Sequence, residues 1–325
     1  MKTKLIYALV SDPSDYYYEQ TLISVTSARM WNPDAVIELL VDDRTHQTLT
    51  GKRAALYDKV NNVITVDFSK TVNKKQRSRF LKTSIRQHVK GDFLYIDSDT
   101  VVCESLEDVD KFQFEIGAVL DGHRLLDLNQ DTLNTKKEKV EKIGGQFIDK
   151  GSYYNSGVLY VKDTPNTHAF FREWYAVYEA GLQKGIDFDQ PALFLCNQNL
   201  DLIRPLEGEY NCQIFLGGLP YLGYAKIIHA FNAYRDYTDF FIFNSIHYLE
   251  KIKSQDTLTE EDKERIKTAK RQFYGEYSLT FGLGVAYNKS VLFHLFVDNQ
   301  QLFHWVEIIG KCLLKLYRRF CKRAR

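Results

Sequence analysis

FLYIDSDTVV, Phe93 to Val102, decides the reading of this chain. Its apolar start reads as a strand buried on both faces, and the run ends in Asp97 and Asp99, one residue apart. Burying an unpartnered carboxylate is costly, so two at the end of a buried strand imply a cation or a turn that satisfies them. A helical pattern from Gln76 to Lys90 leads into the strand. Its inner face is Phe80, Leu81, Ser84, Ile85, His88 and Val89, with Gly91 expected as C-terminal cap. The same alternation fills the residues before it. Lys4 to Val10 (KLIYALV), Val36 to Val41 (VIELLV) and Val63 to Val66 read as strands. Helical patterns separate them, one through Leu22, Val25 and Met30, the other from Arg44 to Lys59. This order predicts a mostly parallel sheet flanked by helices, in which ligands bind beyond the carboxyl ends of the strands. Asp97 and Asp99 stand at one of those ends.

Farther along, Phe114 to Leu120, Gly157 to Val161 and Lys226 to His229 are strand candidates, and Ala169 to Leu182 is helical. Lys136 to Lys142 (KKEKVEK) reads as a solvated helical face or a loop. From about Glu250 the chain becomes more charged, and Thr257 to Lys270 is helical with a start near Thr259. The expected division is an α/β domain over residues 1–250 and a C-terminal helical appendage over 251–325. The appendage ends in Leu302 to Arg325, where Trp305, Ile308, Ile309, Cys312, Leu313, Leu316 and Phe320 recur at helical steps. Seven Lys or Arg and no acid follow from Lys311 on. Such a basic amphipathic helix fits an anionic membrane surface, and it equally fits a helix packed on the domain.

The formal net charge of +1 gives no global attraction for nucleic acid, and 44% hydrophobic residues suit a packed core. Cys103, Cys196, Cys212, Cys312 and Cys321 are odd in number and form no CxxC pair. They read as reduced thiols of a cytoplasmic protein. Leu5 to Val10 is too short for a signal peptide, and no run approaches the roughly 20 apolar residues of a spanning helix.

Carboxylates at i and i+2 can reach one cation where the chain turns after a strand. Hard oxygen donors of this kind suit Mg²⁺ or Mn²⁺, which keep positions open for phosphates. His229, at the end of KIIH, would add a nitrogen and tilt the preference toward Mn²⁺; otherwise it is a structural histidine. Asn155 can both donate and accept, and Asp189 with Gln190 precedes an apolar helix that Asp189 could simply cap. Arg79, Lys82 and Arg86 recur at helical spacing on the face away from the core.

FLYIDSDTVV, YNSGVLYV (Tyr154 to Val161), DFDQPAL (Asp187 to Leu193) and KIIHA (Lys226 to Ala230), in that order, resemble the motifs of glycosyltransferase family eight. The resemblance runs from about Lys4 to Phe231. It implies a GT-A fold and transfer of a hexose from a UDP-sugar to a glycan or lipid-linked saccharide acceptor, with retention of configuration. It implies that Asp97, Asp99 and His229 hold Mn²⁺ or Mg²⁺. Asp189, Gln190 and Asn155 would meet the donor sugar, and Arg79 and Lys82 would support the charge, with Arg86 at the surface. The nucleotide pocket would use Ala8, Val10, Asp12 and Ser98, with one of Tyr16, Tyr17 and Tyr18 on the base and Tyr17 as the candidate. An acceptor of this kind, with the basic tail, suggests a cytoplasmic enzyme peripheral on the membrane.

One element departs from the family. After the histidine the sequence is HAFNAYRDY, without the Gly-x-x-Lys-Pro-Trp element whose lysine holds the diphosphate, and Arg235 is the available substitute. Two other readings compete. DSDTV also fits a haloacid-dehalogenase-like phosphatase with Asp97 as nucleophile, and the chain could be a non-catalytic, membrane-attached sugar-binding protein.

Overall fold

Each apolar run of the first hundred residues becomes a strand, and each periodic stretch a helix: β1 (Lys4–Leu9), α1 (Tyr17–Trp31), β2 (Ile37–Asp42), α2 (Asp43–Thr48), β3 (Asn62–Val66), α3 (Lys74–His88) and β4 (Phe93–Ile96). This computed structural model describes residues 1–68, 72–126, 130–148, 150–231, 241–273, 278–281, 284–287 and 290–321. The chain continues through β5 (Thr100–Val102), β6 (Ile116–Leu120), α4 (Gln130–Lys142), β7 (Tyr154–Val161), α5 (Pro165–Gln183), α6 (Gln190–Leu200), β8 (Ile203–Pro205), β9 (Cys212–Gln213) and β10 (Ile227–His229). It ends with α7 (Ile246–Ser254), α8 (Glu260–Lys267), β11 (Ser278–Phe281), β12 (Gly284–Tyr287), α9 (Val291–Asp298) and α10 (Gln300–Cys321).

The main sheet has seven strands in the order β3-β2-β1-β4-β7-β6-β8. All run parallel except β7, which is antiparallel to both β4 and β6. Because β7 runs the other way, its first residues reach the same rim at which β4 and β6 end. Alternate residues of β1 face opposite layers, as a strand buried on both sides requires. Leu5, Tyr7 and Leu9 join one core with α1, while Ile6 and Ala8 join the other with Phe80 of α3 and Trp174 of α5.

A second, small sheet, β5-β10-β9, crosses the rim. The chain leaves β4, turns through Asp97 to Asp99 and re-enters as β5, with which β10 pairs antiparallel. The register sets His229 opposite Thr100, and the amide of Ala230 donates to the carbonyl of Asp99 at 3.0 Å.

Several expectations change. α3 ends at His88, with Val89 as its cap, and Gly91 instead takes the left-handed turn (φ 79°) into β4. His88 is exposed. Arg86 is buried: its Nη1 donates to the carbonyls of Val89 and Gly91 at 3.1 and 2.9 Å, and its guanidinium lies over Phe93 at 4.3 Å. A cation that closes the α3–β4 turn this way is invisible to helical spacing. The charge run after Lys136 belongs to α4, and Lys136 itself is buried. Arg44 to Lys59 divides into α2 and a 3-10 segment, Gly51–Lys59. α8 starts as expected from Thr259, in a capping box with Asp262.

Among the described residues no helix is long and apolar enough to cross a membrane. α10 is not packed on the domain along most of its length. Trp305, Ile309, Leu313, Leu316 and Tyr317 are all exposed, with Trp305 at 62%.

Candidate functional site

Asp97 and Asp99 reach one point because the turn after β4 brings both carboxylates to the side of the rim where β10 delivers His229. A ligand atom from each of the three lies within 4.8 Å of the others. His229 Nε2 is 3.2 Å from Asp99 Oδ1 and 4.0 Å from Asp97 Oδ2. The histidine is buried, while both aspartates are half-buried and open to the cleft.

The imidazole is oriented by a chain of amides whose direction one backbone group fixes. The N–H of Gly157 can only donate, and it donates to Asn155 Oδ1 at 2.9 Å. That oxygen therefore also accepts from Asn211 Nδ2 at 3.0 Å, so Asn211 Oδ1 is turned to His229 Nδ1, 2.8 Å away. Nδ1 must carry the proton, and in the neutral ring the Nε2 lone pair faces the two carboxylates. A cation among these three groups resolves that opposition, so two oxygens and an oriented imidazole nitrogen fit a divalent ion. At its other end Asn155 Nδ2 donates to Asp121 Oδ1 at 3.1 Å. Gln190 Nε2 donates to the same oxygen at 3.1 Å, and Lys136 Nζ is 2.9 Å from Asp121 Oδ2. Asn155, Asn211 and Asp121 are all buried.

The cations of α3 form the opposite wall. Lys82, buried at 1% exposure, places its ammonium 2.8 and 3.0 Å from the two oxygens of Asp97 and 3.9 Å from Asp189 Oδ2. Arg79 Nε sits 3.1 Å from Asp189 Oδ1 without hydrogen-bond alignment, while Ser156 Oγ donates to Asp189 Oδ2 at 2.6 Å. Burial alone would raise the Asp189 pKa, but Lys82 and then Arg79 outweigh it and hold the carboxyl below the usual range. Tyr95 donates its hydroxyl to Asp97, and burial followed by that carboxylate pushes the phenol well above its ordinary value. Asp189 precedes α6 without capping it, so its side chain serves this wall.

A cleft of about 790 Å³ opens in front of these groups, with Lys82 and Asp189 buried behind its wall. Ala8, Val10, Tyr17, Arg79, Asp97, Ser98, Asp99 and His229 all face it. The three consecutive tyrosines separate. Tyr17 lines the cleft, Tyr16 donates to Glu250 at 3.1 Å, and Tyr18 is buried beneath Arg53. Asp12 lies at the rim, paired with Lys74 at 2.6 Å, and Asp15 faces the cleft in its place. Asn155 and Gln190 open instead on an adjoining chamber of about 290 Å³ that shares Phe188 and Phe231 with the cleft. Arg235 lies outside the described residues.

Sequence reasoning missed Asp121, Lys136, Asn211 and Tyr95. Asp121 follows the apolar run of β6 as Asp97 follows β4, so the strand-end rule could have found it. Nothing local marks Asn211.

A sequence model of glycosyl transferase family 8 matches residues 9–253. An active-site mutant of LgtC matches in structure with a TM-score of 0.51 and 17% identity, over 80% of this chain and 98% of that one. The galactosyltransferase LgtC with donor and acceptor sugar analogues matches at 0.49 and 16%, over 81% and 100%. The glycosyltransferase GlyE of Streptococcus pneumoniae TIGR4 matches at 0.46 and 17%, over 84% and 66%. No curated protein matches the chain in sequence. The mixed α/β architecture, with its mostly parallel sheet between helices, is that of the GT-A glycosyltransferases.

Proposed function

The chain belongs to glycosyltransferase family 8, and from that premise we propose that it is a metal-dependent transferase moving a hexose from a UDP-sugar to a glycan or lipid-linked saccharide, with retention of configuration. The convergence of Asp97, Asp99 and an oriented His229 at the rim of the cleft carries this reading. A Mn²⁺ or Mg²⁺ ion held by these three supplies positive charge to the diphosphate leaving group. Lys82 holds Asp97 aimed at the rim, and Arg79 holds Asp189 toward the donor sugar. Ala8, Val10, Ser98 and Tyr17 form the nucleotide wall, with Asp12 bracing Lys74 behind it. Gln190 faces the adjoining chamber, and Asn155 fixes both Gln190's partner and the histidine. The catalytic unit is residues 1–250 and the helical appendage residues 251–325.

Family membership takes the support from the phosphatase reading, and Asp97, held by Lys82 and Tyr95, is poorly placed as a free nucleophile. A screen of nucleotide-sugars for Mn²⁺-dependent hydrolysis tests the proposal directly. UDP and Mn²⁺ raising the melting temperature without turnover of any nucleotide-sugar would favour the non-catalytic sugar-binding reading instead.

The proposal extends to a cytoplasmic, membrane-peripheral enzyme. The exposed apolar side of α10, with the basic residues that follow Lys311, supports docking on anionic lipid. Deleting Lys311 to Arg325 should preserve turnover of soluble substrates. Binding to phosphatidylserine vesicles in sedimentation assays at low salt should fall by about tenfold or more, since each basic residue near the surface contributes about 1 kcal/mol. Vesicle binding unchanged by the deletion would remove the membrane from the account.

A further inference from the structure

The chamber beside the cleft has a charge that its own residues do not cancel. Asp121, its buried acid, is already occupied by Lys136, Asn155 and Gln190. Two further lysines meet at Phe188, Lys75 with its ammonium 4.0 Å from the ring centre and Lys139 at 3.8 Å. Lys75 is neutralised by Asp187 at 2.8 Å. Lys139, a half-buried residue of α4 that lines the chamber, has no described carboxylate within ion-pairing distance. Burial, and then the neighbouring Lys75, pull its pKa down, and the more distant carboxylates of Asp187, Glu138 and Asp121 offset this only in part.

We propose that this chamber is the acceptor subsite and that it takes an acidic saccharide, one whose carboxylate or phosphate pairs with Lys139. The inference rests on the glycosyltransferase reading of the adjoining cleft. Phe188 and Phe231 line both spaces, so an occupant of the chamber can present a hydroxyl to a donor sugar in the cleft. Tyr153, Phe188 and Phe231 supply apolar faces for a pyranose ring, and Lys139 supplies a charge that a neutral sugar would leave without an ion-pair partner among the described residues. In the transfer, the acceptor oxygen bonds to the anomeric carbon. The bond from that carbon to the diphosphate breaks with its electron pair on the diphosphate oxygen, which takes the hydroxyl proton.

The full-length protein, with Mn²⁺ and the nucleotide-sugar it hydrolyses best, is offered methyl glycosides of glucose, galactose and N-acetylglucosamine. Each is compared with its 6-phosphate, and the first two also with their uronates. At least one acidic sugar should drive transfer with a kcat/KM about tenfold or more above its neutral counterpart, as a charge-assisted contact predicts. Lys139→Gln should abolish that preference, and Lys139→Arg should keep it. The uronate and phosphate arms identify which anion is used. Equal use of neutral and acidic sugars, a preference that survives in Lys139→Gln, or no transfer to any acidic sugar while donor hydrolysis continues would each overturn the acidic acceptor and leave the glycosyltransferase reading intact. Absence of both hydrolysis and transfer would overturn that reading and this one together.

Discussion

Asp99→Asn should fold normally and lose nucleotide-sugar turnover by more than about 100-fold. Replacing a group that merely orients a metal ligand commonly costs 10- to 100-fold in metal affinity or activity, and here a ligand itself loses its charge. The fold should not notice. Asp99 lies in the turn after β4, is half-buried, and contributes its carbonyl to the Ala230 amide, a bond the amide side chain leaves intact. Circular dichroism and melting temperature should match the wild type, while Mn²⁺ should no longer stabilise the protein in the presence of UDP. Wild-type turnover in Asp99→Asn would mean that the ion, if any, sits elsewhere.

Gly157→Ala should damage the same site from the opposite side. Gly157 lies in β7, and its carbonyl accepts the Asp97 amide at 2.8 Å, so it faces the turn from Asp97 to Asp99 directly. A Cβ added there would overlap His229 Cε1 and stand 2.8 Å from Nδ1 and 2.9 Å from Asn155 Oδ1. The ring cannot yield cheaply, since Nδ1 is tied to Asn211 and Phe231 packs against it with ring centres 4.2 Å apart. One methyl therefore pushes the imidazole off its aim. The protein should lose about 1–3 kcal/mol of stability, typical of overpacking, and its affinity for Mn²⁺ should fall about 10- to 100-fold. Calorimetric titration with Mn²⁺ in the presence of UDP measures the second effect apart from the first. An unaltered Mn²⁺ affinity would show that His229 can retreat from Gly157 without leaving the ligand set, or that it is no ligand.

The parts legible in the sequence were those whose physics is local. Runs such as KLIYALV and VIELLV must be buried on both faces, so they announce strands of a parallel sheet. Carboxylates directly after such a run stand at the rim by construction. His229 could be read because KIIH is itself a strand. Contacts made across the fold were not legible. Arg86 looked solvated because its partners, the carbonyls that end α3 and the ring of Phe93, come together only when the chain turns back. Lys136 lay in a run of charges that suggested solvent, yet it meets Asp121, fifteen residues earlier in sequence, inside the protein. Asn211 works only because β7, β9 and β10 converge. For the last helix, periodicity defined the apolar side but not what covers it, and beyond Phe303 the side chains Trp305, Ile309, Leu313, Leu316 and Tyr317 stay exposed among the described residues.

That uncovered side has a practical corollary. The chain has three tryptophans, of which Trp174 is fully buried and Trp31 packs against the core, while Trp305 stands in water on α10. The protein thus carries an intrinsic fluorophore on the one surface whose surroundings are expected to change. A blue shift of emission on adding lipid, absent in Trp305→Phe, would follow the landing of this helix without any label.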